Sequence, residues 1–280
     1  MQKFAIFIVK IKNYSHFQVF NEIALSLYYS FKRLGYDAII TDNPNILDRR
    51  YIILGANTLR FCPDIKIKSD SIIYQFEREN SPEQFDSFYL YILKNFKVWD
   101  FSLHNMERIN NKYNLKISEY LSLGYVEELN CIKHRQEKDI DILFIGSFSE
   151  RRKDLILEMN KLNIKASLIF NSYGKERDDL ISRSKIMLNV HFHGPGLLEH
   201  PRIFYYLNND CLILSEESNN VEENQRFLNI LFLSEFKNLS LTALEILNNK
   251  LNFEERRNNI KKFMENNQMH IFLSKRLKNL

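Results

Sequence analysis

Short apolar runs alternate with longer stretches in which apolar positions recur at helical spacing, and this alternation continues along most of the chain. Phe4 to Val9 predicts a strand, Phe17 to Leu34 a helix closed by Gly35, and Tyr36 to Thr41 a second strand. Tyr51 to Leu54 and Ser71 to Phe76 add two more strands. Pro82 opens a helix running to about Phe96, Val98 to Phe101 is a short strand, and Leu115 to Leu121 is a candidate for another. A fresh start follows the polar stretch Lys133 to Lys138, where Asp139 to Gly146 reads as a strand ending in a glycine turn. Leu155 to Leu162 then predicts a helix, Ala166 to Phe170 a strand, Lys175 to Ser184 a helix and Lys185 to Val190 a strand. A helix beginning at Pro201 runs through Leu207 to Asn208, Cys211 to Leu214 and Ile230 to Leu233 are strands, and Leu241 to Asn248 is helical. The alternation assigns the α/β class, with mostly parallel sheets covered by helices. The expected division is 1–132, 133–250 and a basic helical tail 251–280, the two larger parts leaving a cleft at the carboxyl ends of their strands.

A chain of 280 residues has room for two such domains, and 45% hydrophobic with 26% charged residues is the balance of a globular protein, which excludes disorder. The net charge of +4 suits an anionic small ligand or a lipid surface but is too weak to argue for nucleic acid. Cys62, Cys131 and Cys211 are odd in number and lie in no CxxC spacing. They indicate neither a disulfide framework nor zinc, and they fit a reducing compartment such as the cytoplasm. The apolar run before Lys10 is too short to span a membrane and unlike a secretory signal; it reads as a first core strand.

The densest polar chemistry lies between Asn189 and Arg202. There Gly194-Pro195-Gly196 must turn and Pro201 suits a helix start, so the helix N-terminus faces the loop with backbone N–H groups that favour phosphate. Arg202 in the first turn adds a planar donor fork. Gly146-Ser147-Phe148-Ser149-Glu150-Arg151-Arg152 also joins strand to helix and matches neither a Walker loop nor GxGxxG. Its arginines are either phosphate ligands or solvated first-turn residues. His191 and His193 share a face if the strand continues that far; with Glu199 or His200 they give no convincing third metal ligand, so no metal is expected. They are ligand donors or satisfied strand-end histidines. Glu199 either complements the helix dipole or accepts from sugar hydroxyls. Asp139-Ile-Asp141 has a DxD spelling but begins a strand, which puts it on the edge away from a ligand cleft. His16, after the first strand, and Glu77, after the strand at Ile72, are alternative general bases; Glu22 is structural or solvated.

Tyr74-Gln-Phe-Glu-Arg-Glu79, Lys97-Val-Trp-Asp-Phe-Ser102 with Asn105, Leu123-Gly-Tyr125, Asp139 through Arg152, Leu188 through Arg202 and Leu214-Ser-Glu216 together resemble a family of small bacterial GT-B glycosyltransferases. That family is distantly related to the spore-maturation-type and group 1 enzymes. The resemblance covers most of the chain and implies two Rossmann-like domains, a nucleotide-sugar donor held mainly by the second, and no obligatory metal or other cofactor. It places Glu77, Glu150, Arg152, Glu199 and Arg202 at the family's acidic and basic positions. The chain departs from it in lacking a Gly-rich first loop and in carrying His193 and Gly194-Pro-Gly196, which implies an altered sugar pocket.

The resemblance thus leads to an expected transfer of a sugar, UDP- or GDP-linked, to a hydroxyl of a cell-surface glycan, glycolipid or protein. Arg152, Arg202 and the helix N-termini would offset diphosphate charge. Gly146 and Ser147 would let backbone approach the phosphates, Tyr173 and Gly174 would seat the base, and His191, His193 and Glu199 would contact the sugar. His16 or Glu77 would be the base in an inverting reaction. The tail residues Arg256, Arg257, Lys261, Lys262, Lys275 and Arg276 form either a docking face for anionic lipid at the inner membrane or a solvated helix face. The alternative from another class is a non-catalytic binding or regulatory module on a degenerate glycosyltransferase fold.

Overall fold

The structure is a computed structural model that describes residues 2–249, 253–278 and 280. It has two compact units, Met1–Val126 together with Asn267–Leu280, and Glu127–Asn266.

In the first unit the strands are β1 (Lys3–Ile8), β2 (Asp37–Thr41), β3 (Arg50–Leu54), β4 (Ile72–Gln75), β5 (Lys97–Asp100) and β6 (Glu119–Tyr120). They form a parallel sheet in the order β2-β1-β3-β4-β5-β6. Phe4 to Ile8 and Tyr51 to Leu54 are buried throughout, as continuous apolar runs are when helices cover both faces. The helices are α1 (Asn21–Arg33), α2 (Ser87–Asn95) and α3 (Leu103–Tyr113). The helix expected from Phe17 begins as a 3-10 turn, Ser15–Phe20, and becomes α-helical only at Asn21. The one expected from Pro82 divides into a 3-10 turn and α2, because the Asp86 carboxylate accepts from Tyr89 N at 2.8 Å and restarts the helix there. Helix α3, which periodicity did not reveal, is capped by Ser102, and the strand expected over Leu115 to Leu121 shrinks to β6. Trp99 is fully buried and donates Nε1–H to Glu119 at 2.8 Å.

The second unit holds β7 (Ile140–Ile145), α4 (Glu150–Lys161), β8 (Ala166–Ile169), α5 (Gly174–Ser182), β9 (Ser184–Asn189), α6 (His200–Asn208), β10 (Ile213–Glu216), α7 (Val221–Phe227), β11 (Phe232–Ser234), α8 (Leu239–Asn249) and α9 (Phe253–Asn266). Its parallel sheet has the order β11-β10-β9-β7-β8. From β7 the chain goes outward to β8 and then returns to β9 on the other side, so the carboxyl ends of β7 and β9 flank a topological switch point. In the first unit β1 and β3 do the same.

The unit boundary falls between Val126 and Glu127 rather than at 132/133. The polar stretch is packed, not a linker: Asn209 Oδ1 accepts from Cys131 N and Ile132 N at 3.0 Å, and His134 Nε2 lies 2.7 Å from Asn209 O. The boundary expected at 250/251, Leu251 included, lies outside the described residues. Beyond it there is no single tail. Helix α9 stays with the second unit, where Arg256 lies 4.0 Å over the Phe232 ring and donates to Leu231 O at 2.6 Å, and Arg257 donates to Asp210 O at 2.7 Å. Helix α10 (Met269–Leu277) buries Met269 and Leu273 and packs on α1 of the first unit. Tyr125 N donates to Asn267 O at 2.7 Å beside Gly124, whose hypothetical Cβ would sit 2.5 Å from that carbonyl. Among the described residues no helix is long and apolar enough to cross a membrane.

Candidate functional site

At the β7/β9 switch point the loop after β7 turns into α4 through Ser149, whose hydroxyl caps Arg152 N. This cap sends the two arginines in different directions. Arg152 points inward and is 3% exposed, with Nε donating to Val190 O at 3.1 Å and Nη1 to Ser147 O at 2.9 Å. Its guanidinium thereby joins the β7 loop to the end of β9 and is buried, unlike the solvated first-turn residue that was one of its two expected readings. Arg151 stacks on Phe236 at 3.5 Å and forms a two-pronged pair with Glu216, the last residue of β10.

Arg202, in the first turn of α6, donates to Asn189 Oδ1 at 2.9 Å, and Asn189 in turn donates to Ser215 Oγ at 3.0 Å. The Arg202 guanidinium lies 4.8 Å over the Phe144 ring, and that of Arg152 lies 4.5 Å over it. A Cβ on Gly146 would approach Arg202 Nη2 to 2.7 Å. Glycine is therefore needed here to seat the Arg202 fork, a reason beyond the backbone approach to phosphate expected from sequence. Gly146 and Ser147 are half-buried.

Glu199 stands at the N-cap position of α6, yet its carboxylate turns toward cations instead of capping the helix. It lies 3.5 Å from Arg152 Nη2, 3.6 Å from His191 Nδ1 and 3.7 Å from Arg202 Nη1. His191 is fully buried, its Nε2 2.9 Å from Glu217 O, and its backbone is held on both sides. Its N–H donates to Glu216 at 3.0 Å and its carbonyl accepts from Arg151 at 3.1 Å. Burial alone would lower the His191 pKa, but the hydrogen bond and charge of Glu199, with Glu216, outweigh it and raise the pKa above the ordinary value. His191 and His193 do not share a face: the strand ends at Asn189, so His193 lies exposed on the loop with its ring 4.6 Å from Phe192. The rest of the loop is anchored by Glu223 of α7, which accepts from Leu198 N at 3.0 Å and pairs with His200 Nε2 at 2.6 Å. Tyr173 is half-buried at the N-cap of α5, and Gly174 follows it with φ +56°. Asp139 and Asp141 lie at the other end of β7, paired with Arg183 and Lys185. Among the described residues no three His, Cys, Asp or Glu side chains come together as metal ligands.

In the first unit His16 is exposed on the 3-10 turn after β1. Glu77 lies just beyond the end of β4 and accepts from Asn57 Nδ2 at 2.9 Å. The strand order β1-β3-β4 sets them two strands apart on the same edge. Burial raises the Glu77 pKa to about 7, although the nearby Arg78 opposes the shift. Next to it, burial lifts Asp100 to about 8 while N–H donors from Ser102, Asn105 and Gln75 oppose the change. Glu22 is in the first turn of α1.

Sequence reasoning gave no individual role to Asn189, Glu216, Glu223 or Asp100, and it weighed Arg151 only as a phosphate ligand or a solvated first-turn residue. The available signal was position: Asn189, Glu216 and Asp100 each end an apolar strand run with a polar group at the carboxyl edge of a parallel sheet.

No protein-family model matches the chain. It is 24% identical over 251 residues to uncharacterized protein L137 of Acanthamoeba polyphaga mimivirus, covering 85% of this chain and 34% of that protein. Uncharacterized protein L140 of the same virus is 29% identical over 126 residues, covering 44% of this chain and 41% of that protein. The chain thus spans well under two thirds of the length of these relatives. Among solved structures it is similar to Anabaena Alr3699/HepE in complex with UDP and glucose, with TM-score 0.67, 8% identity and 100% of both chains covered. AviGT4, a glycosyltransferase involved in avilamycin A biosynthesis, gives TM-score 0.61 at 8% identity over 99% of this chain and 96% of that one. T4 phage BGT in complex with UDP and Mn2+ gives 0.51 at 14% identity over 98% and 95%. The fold is GT-B, with a parallel sheet in each unit.

Proposed function

We propose that the chain is a glycosyltransferase that moves a sugar from a nucleotide-sugar donor, UDP-linked by preference, to a hydroxyl of a cell-surface glycan, glycolipid or protein in the cytoplasm. One observation carries the reading: Arg152, His191 and Arg202 converge on Glu199 at the β7/β9 switch point and the start of α6. Three basic groups around one carboxylate leave net positive charge where a parallel α/β sheet holds its ligand. UDP is preferred because HepE and the phage enzyme were solved with it.

In this reading Arg202 and the first-turn N–H groups of α6 offset charge on the diphosphate as the bond to the anomeric carbon breaks, a metal-independent stabilisation. Gly146 and Ser147 border the phosphates, Tyr173 and Gly174 seat the base, and Glu199 and His193 accept from or donate to the sugar. Arg152 and His191 are too deeply engaged for direct contact and instead hold Glu199. Glu77 is preferred to His16 as the group that takes the acceptor proton, since a carboxyl with a pKa of about 7 is poised for base work near neutral pH. Free Cys62, Cys131 and Cys211 support a reducing compartment. A glycolipid acceptor would bring Lys261 and Lys262 of α9 toward lipid, because Arg256 and Arg257 of that helix are already engaged with backbone carbonyls.

The test is calorimetry of UDP, GDP, CMP and their common sugar conjugates with wild type and Arg202→Ala, followed by a turnover assay with the conjugate that binds. UDP binding lost in the variant, with release of UDP on adding acceptor, is expected. Binding without turnover on any acceptor would favour the non-catalytic module, and no nucleotide binding would defeat both readings.

A further inference from the structure

The segment that carries Glu77 is gripped by two side-chain amides, and both are oriented by one buried carboxylate. Asp100, at the end of β5, is fully buried. Its Oδ2 accepts from Gln75 Nε2 and from Asn105 Nδ2, each at 2.9 Å, and its Oδ1 accepts from Ser102 N at 2.9 Å. Each of these bonds is one that the Asp100 oxygens accept, so the carboxyl turns the NH2 side of both amides inward and their oxygens outward. The consequence appears on the Glu77 backbone. Glu77 O accepts from Gln75 Nε2 at 2.9 Å and Asn105 Nδ2 at 3.0 Å, and Glu77 N donates to Gln75 Oε1. Asn105 Oδ1 accepts from Glu79 N at 3.0 Å. With the backbone fixed, the Glu77 side chain reaches Asn57 Nδ2 at 2.9 Å, which also donates to Gln84 Oε1 at 3.0 Å.

We propose that Asp100, acting through Gln75 and Asn105, is the positioning residue that holds the Glu77 carboxyl in its desolvated seat. The inference deepens the proposed function, since it rests on Glu77 as the acceptor-side base for its catalytic meaning. Asparagine cannot replace Asp100: with one oxygen and one NH2, it must set N–H against N–H either at Ser102 or at the two amides. A buried carboxylate is costly to desolvate, and three N–H donors are the compensation it finds here. The other groups facing Glu77 are Arg60 on the 3-10 turn after β3, Arg78 beside it, Glu83 on the turn before α2, and Tyr89 of α2. These remain in place in the variants that test the idea.

The experiment is a carboxyl carbon NMR titration of the full chain with labelled glutamate. The Glu77 signal is identified by its loss in Glu77→Gln, and Trp99 fluorescence reports folding of the unit. In wild type the signal should titrate near 7. In Asp100→Asn, and in Asn105→Ala where the Asp100 carboxyl is kept, the midpoint should fall by about two pH units toward the ordinary glutamate value. With a donor and acceptor in hand, Asp100→Asn should also lower kcat roughly tenfold or more at unchanged donor KM, with no further loss in a Glu77→Gln background. An unmoved midpoint in both variants would overturn the proposal. A moved midpoint together with full activity of Glu77→Gln would uphold the positioning role and defeat Glu77 as the base. If Asp100→Asn does not fold, the Asn105→Ala midpoint decides alone.

Discussion

Glu77→Gln should make the protein more stable at neutral and alkaline pH and leave it nearly unchanged in acid. The carboxyl has a pKa of about 7 in the folded protein against an ordinary value of 4.5, and burial is the principal cause. Between those values the unfolded chain has released this proton while the folded chain still holds it, so stability falls as pH rises through that window and levels off above about 7. A separation of roughly two and a half pH units at 1.36 kcal/mol per unit corresponds to about 3 kcal/mol. Glutamine keeps the acceptor for Asn57 and removes the titration. The variant-minus-wild-type difference in unfolding free energy should therefore grow from a small baseline near pH 4 to about 3 kcal/mol above pH 7. Asp100 has the same direction of dependence, but it is present in both proteins and cancels. Urea unfolding followed by Trp99, the single tryptophan, reads this unit directly across a pH series. A difference that stays constant with pH, or shrinks as pH rises, would refute the account of Glu77 as a desolvated acid.

Gly146→Ala should displace the Arg202 guanidinium, whose Nη2 would be 2.7 Å from the new Cβ, and weaken UDP binding by calorimetry roughly tenfold with little change in Tm. Arg152→Met should cost about 3 kcal/mol in urea unfolding, because it leaves Val190 O, Ser147 O and the Glu199 carboxylate without their buried cation. His191 has its folded pKa raised above 6.5, so the stability it contributes is full below the unfolded value and is lost as pH rises through the folded one. His191→Gln should consequently be most destabilising, relative to wild type, in denaturant titrations at about pH 5.5 and progressively less so toward pH 9. A penalty growing with pH would show that His191 is held neutral.

The sheets were legible because buried parallel strands are continuous apolar runs, and the runs at Phe4, Tyr51, Ile142 and Ile186 all became central strands. Helix α3 was harder to see, since its buried face is Asn105, Met106 and Ile109, with a polar residue where periodicity asks for an apolar one. The cluster at Glu199 was half legible. The loop from Asn189 to Arg202 announced polar chemistry, but which of Arg151 and Arg152 turns inward depends on the Ser149 cap and on carbonyls at the end of another strand. Long-range pairing is also why Glu216, quoted only within Leu214-Ser-Glu216, carried no role of its own: its partners Arg151 and His191 reach it only once β10 lies beside β9.

The placement of α10 has a consequence for synthesis. The strands of the first unit leave the ribosome before any of the second, yet the face of α1 that α10 covers cannot be closed until Asn267–Leu280 has been made. The unit begun first is finished last. Whatever protects the exposed α1 surface during that interval must do so while the whole of Glu127–Asn266 is translated and begins to fold.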